Sequence, residues 1–128
     1  MGFNIVLVEP EIPTNTGNIG RLSLASGSAL HLVKPFGFEL NDKRLKRAGL
    51  DYWKHISINI YENIEDFYLK NKEANMVYFS SSATKNYTSI NFQDNMFFLF
   101  GKESVGLSKE IISNNIDKLY KIPIYTKY

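Results

Sequence analysis

Cysteine is absent from the 128 residues of this chain, and histidine occurs only as His31 and His55. The absence of thiols excludes disulfide bridges, cysteine zinc sites and thiol catalysis, and it suits the reducing cytoplasm, where we expect the chain to act. Two histidines are too few for a metal centre built from imidazoles, and we expect no metal. Long apolar runs are also missing, since Glu9 interrupts the first one, so we expect neither a signal peptide nor a membrane span.

An excess of charge of one sign is nearly missing as well, because the formal net charge is only +2. The distribution of the charges is more informative, since one short segment holds the cations Lys43, Arg44, Lys46 and Arg47. Clustered cations of this kind bind the phosphates of nucleic acids. A solvated helix face is the other interpretation of the same cluster, and the charges alone leave both open.

The composition, 44% hydrophobic and 14% aromatic, is typical of a globular protein, and we expect one domain over residues 1–128. Short apolar runs alternate with helix-like segments, which indicates an α/β fold with a mainly parallel sheet and helices on both faces. We predict strands at Asn4–Val8, Leu30–Val33, Ile56–Ile60, Met76–Phe79, Met96–Phe100 and Tyr120–Ile124. We predict helices at Asn18–Ser26, Asp42–Ala48, Asn63–Asn71 and Ser108–Ser113, with Asn18 and Ser108 as N-caps and Gly27 and Gly49 at C-terminal ends.

The last predicted strand is followed only by Tyr125–Tyr128. An inner strand at the end of an open sheet leaves apolar surface uncovered. We therefore expect either a partner chain or further residues to cover this surface.

The segment Glu9–Leu22 follows the first predicted strand and holds Asn15 and Arg21 with two glycines between them. We interpret it as a loop whose glycines let the backbone approach a ligand closely, leading into a helix. Separately, Asn15 is typical of turns and Arg21 of helix surfaces. Together, at the exit of a buried strand, they favour a site for chemistry, because arginine pairs with phosphate and stays charged beside a hydroxyl nucleophile.

The segment Phe100–Ser108 nearly matches the phosphate loop of nucleoside triphosphatases, but Leu107 stands where that loop needs lysine. Glu103 would also place a carboxylate against a triphosphate, so we exclude this function. A carboxylate in a glycine loop is better suited to a sulfonium or a ribose. Neither segment has the dinucleotide-binding glycine spacing, which excludes a Rossmann-type dehydrogenase.

Both segments resemble motifs of a known family. Glu9–Pro13 followed by Asn15–Arg21 is similar to the first motif of SPOUT-class RNA 2′-O-ribose methyltransferases, and Phe100–Leu107 is similar to their second motif, G-x-E-x-x-G-L. Pro35–Phe38 and Asp42–Tyr52 narrow the resemblance to the TrmL (YibK) type, which methylates the wobble ribose of certain leucine tRNAs.

The resemblance implies a trefoil-knotted α/β fold, a homodimer, a tRNA substrate and S-adenosylmethionine as methyl donor. Asn15 and Arg21 match the pair that the family links to the target ribose. The family also continues beyond the strand at Ile122 with a third motif and a helix, so we expect this chain to be C-terminally incomplete. The cofactor-binding positions that the resemblance implies are Phe79, Gly101, Glu103 and Ile122.

The expected reaction is methyl transfer to a ribose 2′-hydroxyl of tRNA. Arg21 would orient the hydroxyl and favour the developing alkoxide, while Asn15 would hold Arg21 or the loop. The cation cluster would bind the tRNA backbone. The alternative is a non-catalytic RNA-binding relative that has lost the cofactor pocket, and cofactor binding separates the two.

Overall fold

One parallel sheet organises the chain. The computed structural model describes residues 2–39, 43, 44, 47 and 55–122. Within these residues the sheet consists of β1 Asn4–Val8, β2 Ala29–Val33, β3 Ile58–Tyr61, β4 Met76–Phe79, β5 Phe97–Phe100 and β6 Leu119–Tyr120. The strand order is β3-β2-β1-β5-β4-β6, and each neighbouring pair is parallel. The predicted α/β class and parallel sheet are confirmed.

Helices cover both faces of this sheet, as predicted. Helices with described bounds are α1 Pro13–Ser26, α2 Ile64–Lys70 and α3 Lys109–Asn114, and 3-10 turns span Tyr87–Ser89 and Ile116–Lys118. One face packs against Ile19 of α1, and the opposite face packs against Phe67 of α2 and Ile111 of α3. Because successive strand residues point to opposite faces, Leu7 belongs to the α1 side and Val6 to the α2 and α3 side.

The strands form where the apolar runs predicted them because both faces of the sheet are covered. Val6, Leu30 and Leu99 have no exposed surface. Burial on both faces favours continuous apolar strands over alternating ones. β1 and β4 have the predicted bounds, whereas β3 begins two residues after Ile56 and the described part of the last strand ends at Tyr120.

The start of α1 differs from the prediction. The helix begins at Pro13 rather than Asn18, so Asn15 and the two glycines lie inside it, and Asn18 is not its N-cap. Proline is well suited to the first helical turn because its missing N–H would have no partner there. Gly17 and Gly20 are buried against the sheet, and their interpretation as glycines of a ligand-binding loop was wrong.

The other helix ends follow local signals. Gly27 ends α1 with a φ of 73°, a left-handed conformation that glycine adopts without strain, as predicted. The Ser108 hydroxyl accepts a hydrogen bond from the Ile111 N–H at 3.2 Å, which confirms this N-cap. Asn63 lies just outside α2 and caps it, accepting from the Asp66 N–H at 2.7 Å. Of the predicted helix Asp42–Ala48, only residues 43, 44 and 47 are described, and they are helical.

The remaining expectations fall largely outside the described residues. Gly49 and the end of the predicted strand beyond Ile122 are among the residues that are not described. The trefoil knot implied by the resemblance also involves the chain beyond Ile122 and stays an expectation. No helix in the described ranges is long and apolar enough to cross a bilayer.

Candidate active site

The loops that follow β1 and β5 lie at the switch point of the sheet, where the connections from the two neighbouring strands lead in opposite directions. β1 has β2 on one side and β5 on the other, and all are parallel. Ligands of open α/β sheets bind outside the carboxyl ends of the strands at such a point. We call the connection Glu9–Ile12 loop 1 and the connection Gly101–Leu107 loop 2.

Loop 2 is a tight turn closed by its own backbone. The Gly106 N–H donates to the Lys102 carbonyl oxygen at 2.8 Å. A Cβ on Gly101 would overlap the backbone of Gly106 and Leu107, so only glycine fits at this position. Leu107 is buried in the core and anchors the end of the loop.

Carboxylates join the two loops in both directions. The Glu103 Oε1 and Oε2 atoms accept hydrogen bonds from the backbone N–H groups of Glu11 at 2.9 Å and Ile12 at 3.1 Å. The Glu11 carboxylate in turn accepts from the Ser104 N–H at 2.8 Å, and this bond lowers the pKa of Glu11. Charge-assisted hydrogen bonds of this kind are stronger than neutral ones.

An ion pair runs beside these hydrogen bonds. Lys102 Nζ lies 3.1 Å from the Glu9 carboxylate, and both side chains are partly exposed. Partly exposed pairs contribute little to stability because water screens them. We therefore attribute the joining of the loops mainly to the carboxylate–amide bonds.

An apolar pocket of about 420 Å³ opens between α1 and the β1–β5 pair. Its walls include Ile5 and Leu7 of β1 and Phe100 of β5, and polar groups enter it from Asn15 of α1 and Glu103 of loop 2. A mostly apolar cavity with a few convergent polar groups is typical of ligand sites.

The structure brings one member of the predicted catalytic pair to this pocket. Asn15 is part of the lining, while Arg21 lies outside it and is partly exposed. Six residues along an α-helix correspond to a rotation of about 240°, so the two side chains leave different sides of α1. In the described structure no hydrogen bond joins Asn15 to Arg21, in contrast to the expectation that one would hold the other.

Three of the predicted cofactor positions lie at the carboxyl ends of neighbouring strands, but of these three only Gly101 lines the apolar pocket. Gly101 follows β5, Phe79 ends β4 and Ile122 follows β6, and these three strands are neighbours. The Phe79 ring stacks on the Phe100 ring at a centroid distance of 4.8 Å. Ile122 is 53% exposed, so its apolar side chain is available to a ligand. Glu103 lines the apolar pocket, but both of its carboxylate oxygens accept hydrogen bonds from backbone N–H groups of loop 1.

The described part of the cation cluster borders α1. Lys43, Arg44 and Arg47 are exposed, and the two arginines line a pocket of about 290 Å³ with Thr14 and Asn18 of α1. Lys46 lies outside the described residues. The cluster is thus adjacent to the exposed side of the helix that carries Asn15. No group of three or more acidic or histidine side chains in the described ranges is arranged to hold a metal ion.

A family model decides the relationship of the chain to known proteins. Residues 2–128 match the model of the SpoU rRNA Methylase family. The chain belongs to the SpoU family. The relatives described below are RNA methyltransferases, and the chain is accordingly an RNA 2′-O-methyltransferase of the SPOUT fold class.

Relatives within the SpoU family align with most of the chain. A protein of Geobacillus stearothermophilus is 42% identical over 127 residues, which cover 97% of this chain and 81% of the relative. The tRNA (cytidine(34)-2'-O)-methyltransferase of Methylovorus glucosotrophus is 46% identical over 109 residues, covering 85% of this chain and 71% of the enzyme. A solved structure concerned with the 2-OH methylation of C/U34 on tRNA has a TM-score of 0.93 at 35% identity and covers 99% of this chain and 83% of its own.

Two residues of this SpoU-family site escaped the sequence analysis. Glu11 and Ser104 form one of the bonds between the loops, although neither was predicted as a site residue. Their separation along the chain is 93 positions, and no local pattern reports a contact over that distance. The family motifs contain both segments, which is the signal that could have directed attention to them.

Proposed function

We propose that this chain methylates the 2′-hydroxyl of the wobble nucleotide, position 34, of leucine tRNAs, with S-adenosylmethionine as the methyl donor. The observation that carries the proposal is the pocket at the β1–β5 switch, which unites Asn15 of the first motif with Gly101 and Glu103 of the second. The activity named for the Methylovorus glucosotrophus relative and the subject of the matching solved structure support the choice of position 34.

The residues at the sheet edge suit the proposed donor. Loop 2 folds so closely on itself at Gly101 that no side chain fits there, and its backbone groups would contact the ligand. Phe79 and Ile122, at the ends of the next two strands, would provide apolar surface for an adenosine group. S-adenosylmethionine supplies an electrophilic methyl group when bound, and we propose that Phe79, Gly101 and Ile122 hold it. Glu103 as a further contact to this ligand stays a prediction.

Arg21 and Asn15 provide the chemistry on the RNA side. A ribose hydroxyl is a poor nucleophile until its proton passes to solvent water or to the neighbouring RNA phosphate, and a guanidinium stabilises the alkoxide that develops. Within the described residues Arg21 makes no ion pair, so its charge is available to the RNA. Asn15 lines the pocket and would orient the nucleotide there, and no metal takes part in the proposed reaction.

The cation cluster would bind the anticodon stem and loop through phosphates. Arg44 and Arg47 line a shared pocket against α1, at the side of the helix that Asn18 exposes. Each phosphate contact releases counterions, so removal of one contact lowers the salt dependence of tRNA binding by about one unit of slope. Lys43 would extend the same surface, and Lys46, which lies outside the described residues, stays a predicted phosphate contact.

We further propose that the chain acts as a homodimer in the cytoplasm, where tRNA is available. Leu22 of α1 is 65% exposed and borders the apolar pocket, and the two together form an apolar surface that a second copy of the chain would cover. Sedimentation equilibrium of the purified chain tests the dimer, and a monomer at micromolar concentration contradicts it.

Transfer of the labelled methyl group from S-adenosylmethionine to leucine tRNA transcripts tests the function. We expect incorporation into the normal transcript and none into a transcript with a 2′-deoxyribose at position 34, because that substrate lacks only the accepting oxygen. Arg21→Ala should lower kcat by about 10²–10³-fold with both substrates saturating, as loss of a group that stabilises an oxyanion does.

A control variant tests whether the loss of a positive charge outside the site also lowers activity. Lys109→Ala removes an exposed cation from α3, on the opposite face of the sheet, and should leave kcat and KM unchanged. Full activity of Arg21→Ala contradicts the role of this residue. tRNA binding without S-adenosylmethionine binding in the wild type contradicts the proposed function and favours the non-catalytic RNA-binding alternative.

A further inference from the structure

We infer that Glu11 and Glu103 are a pair of positioning residues that hold loop 2 against the start of α1, so that the cofactor loop and the helix bearing Asn15 and Arg21 move as one unit. The inference rests on the proposed methyl transfer for its catalytic consequence. The structural part stands on the hydrogen bonds of the described loops alone.

Glu103 binds the backbone that leads into α1 from a distant part of the chain. The first N–H groups of a helix have no partner within it and are usually satisfied by a polar side chain just before the helix. Ile12 occupies that position and has no polar side chain. The Glu103 carboxylate accepts from the N–H groups of Ile12 and of Glu11 just before it, and a negative charge there also complements the helix dipole.

Glu11 makes the reciprocal bond and fixes the turn of loop 2. Its Oε1 accepts from the N–H of Ser104, which lies between Lys102 and Gly106 in the closed turn. Three backbone amides therefore join the loops: those of Glu11 and Ile12 in loop 1 bind Glu103, and that of Ser104 in loop 2 binds Glu11. Because the bonds run in both directions, neither loop can shift along the other while both persist.

These contacts lie beside the pocket and set its width. Asn15 is in the first turn of α1, and Gly101 and Glu103 lie on the loop 2 side of the same pocket. A change in the distance between α1 and loop 2 would thus change the distance between the RNA side and the donor side of the site. A displacement of about 1 Å in a reacting pair costs on the order of 10²-fold in rate.

Glutamine variants distinguish the proposed positioning role from a general need for negative charge, because the two carboxylates use their oxygens differently. Glu103 uses both oxygens, so Glu103→Gln loses one acceptor and directs an amide donor at a backbone N–H. Glu11 accepts one backbone hydrogen bond, from Ser104, and the carbonyl oxygen of Glu11→Gln can replace that acceptor. We therefore expect Glu103→Gln to behave like Glu103→Ala, and Glu11→Gln to behave like the wild type while Glu11→Ala does not.

Amide hydrogen exchange of the cofactor-free chain tests the contacts directly. Loss of a stable acceptor speeds exchange of the amide it held, and we expect about tenfold or more for Glu11 and Ile12 in Glu103→Gln and for Ser104 in Glu11→Ala. Glu11→Gln should keep slow exchange at Ser104. Glu110→Gln, an exposed change in α3, is the matched control and should leave these three amides unchanged.

Kinetics and titration calorimetry then test the catalytic consequence. We expect kcat to fall between about tenfold and hundredfold in Glu103→Gln and Glu11→Ala, with the Kd for S-adenosylmethionine changing less than kcat, because positioning rather than binding is lost. Glu11→Gln should stay within about twofold of the wild type, as a hydrogen bond is retained. If Glu103→Gln does not fold, the comparison of Glu11→Ala with Glu11→Gln still tests whether the contact between the loops positions the site.

Three results would overturn the inference: unchanged exchange at Glu11 and Ile12 in Glu103→Gln, equal loss in Glu11→Gln and Glu11→Ala, or a loss confined to cofactor affinity. The last would instead make Glu103 a direct contact to the cofactor. Failure of the proposed function is distinguishable, because it appears as an inactive wild type while the exchange measurements still show whether the contacts exist.

Discussion

Acid should destabilise this chain through His31, a buried side chain of β2. His31 is 5% exposed, its Nδ1 lies 2.8 Å from the Tyr61 hydroxyl, and its Nε2 lies 2.9 Å from Asn4 Oδ1. The Asn4 amide nitrogen donates to the Asn95 carbonyl, which fixes Oδ1 as an acceptor toward the ring. His31 therefore donates from Nε2 and accepts at Nδ1, which satisfies the neutral imidazole.

Burial disfavours the imidazolium and lowers the pKa of His31 from 6.5 to about 4. The unfolded chain thus takes up a proton near pH 6.5 that the folded chain does not accept until about pH 4. Because the pKa of His31 is lower in the folded chain than in the unfolded chain, its contribution to stability is fully present above pH 6.5. That contribution is lost as the pH falls from 6.5 to about 4. At about 1.4 kcal/mol per pKa unit, the full loss is about 3 kcal/mol.

Urea unfolding followed by circular dichroism, at fixed protein concentration and several pH values from 7.5 to 4.5, measures this loss. His31→Gln keeps a donor and an acceptor but does not titrate, so its stability should fall less over the interval than that of the wild type. The difference between the two curves removes the contribution of carboxylates such as Glu11 and Asp66, whose pKa values hydrogen bonds lower in both proteins. His55→Gln, at an exposed position, should follow the wild type.

Parallel stability curves for the wild type and His31→Gln between pH 7.5 and 4.5 would refute this reasoning. They would mean that His31 has the same pKa in the folded and unfolded chains. A difference of about 2–3 kcal/mol that develops on the acid side of pH 6.5 is the expected result.

Two further changes test the packing of the core and of loop 2. Leu99→Ala should lower the free energy of unfolding by about 2–5 kcal/mol in urea titrations, because Leu99 has no exposed surface and its removal leaves a cavity. A loss below about 1 kcal/mol would contradict its place at the centre of the sheet. Gly101→Ala should weaken S-adenosylmethionine binding by at least about tenfold in calorimetry, because its Cβ would overlap the backbone of Gly106 and Leu107 and open the turn; unchanged affinity would show that the closed turn is not needed for binding.

Much of the sheet could be predicted because its signals are local. The runs Asn4–Val8 and Met76–Phe79 are mostly apolar, as is typical of strands covered on both faces, and the structure has the same bounds. The caps at Ser108 and the end of α1 at Gly27 were predictable for the same reason, since each depends on backbone groups within a few residues. The pocket positions of Asn15 and Gly101 follow from strand exits that the sequence reveals.

The start of α1 was not predictable in this way. Local rules place an N-cap at a polar residue, and Asn18 satisfies them, whereas Ile12 does not. The helix instead starts after Ile12, with Pro13 in its first turn, and the Glu103 carboxylate, 91 positions away, accepts from the Ile12 N–H. Asn15 is therefore a helix residue that lines the pocket, and Arg21 lies outside the pocket.

By itself the sequence determined the fold class, the positions of most strands, two helix ends and the residue types of the site, because apolar periodicity and capping act over a few residues. The tertiary structure alone decided which predicted residues share a pocket, and that Glu11 and Glu103 join the two loops. Strand order and contacts between distant loops depend on how segments pack in space, and no short-range pattern encodes a hydrogen bond between residues 92 positions apart.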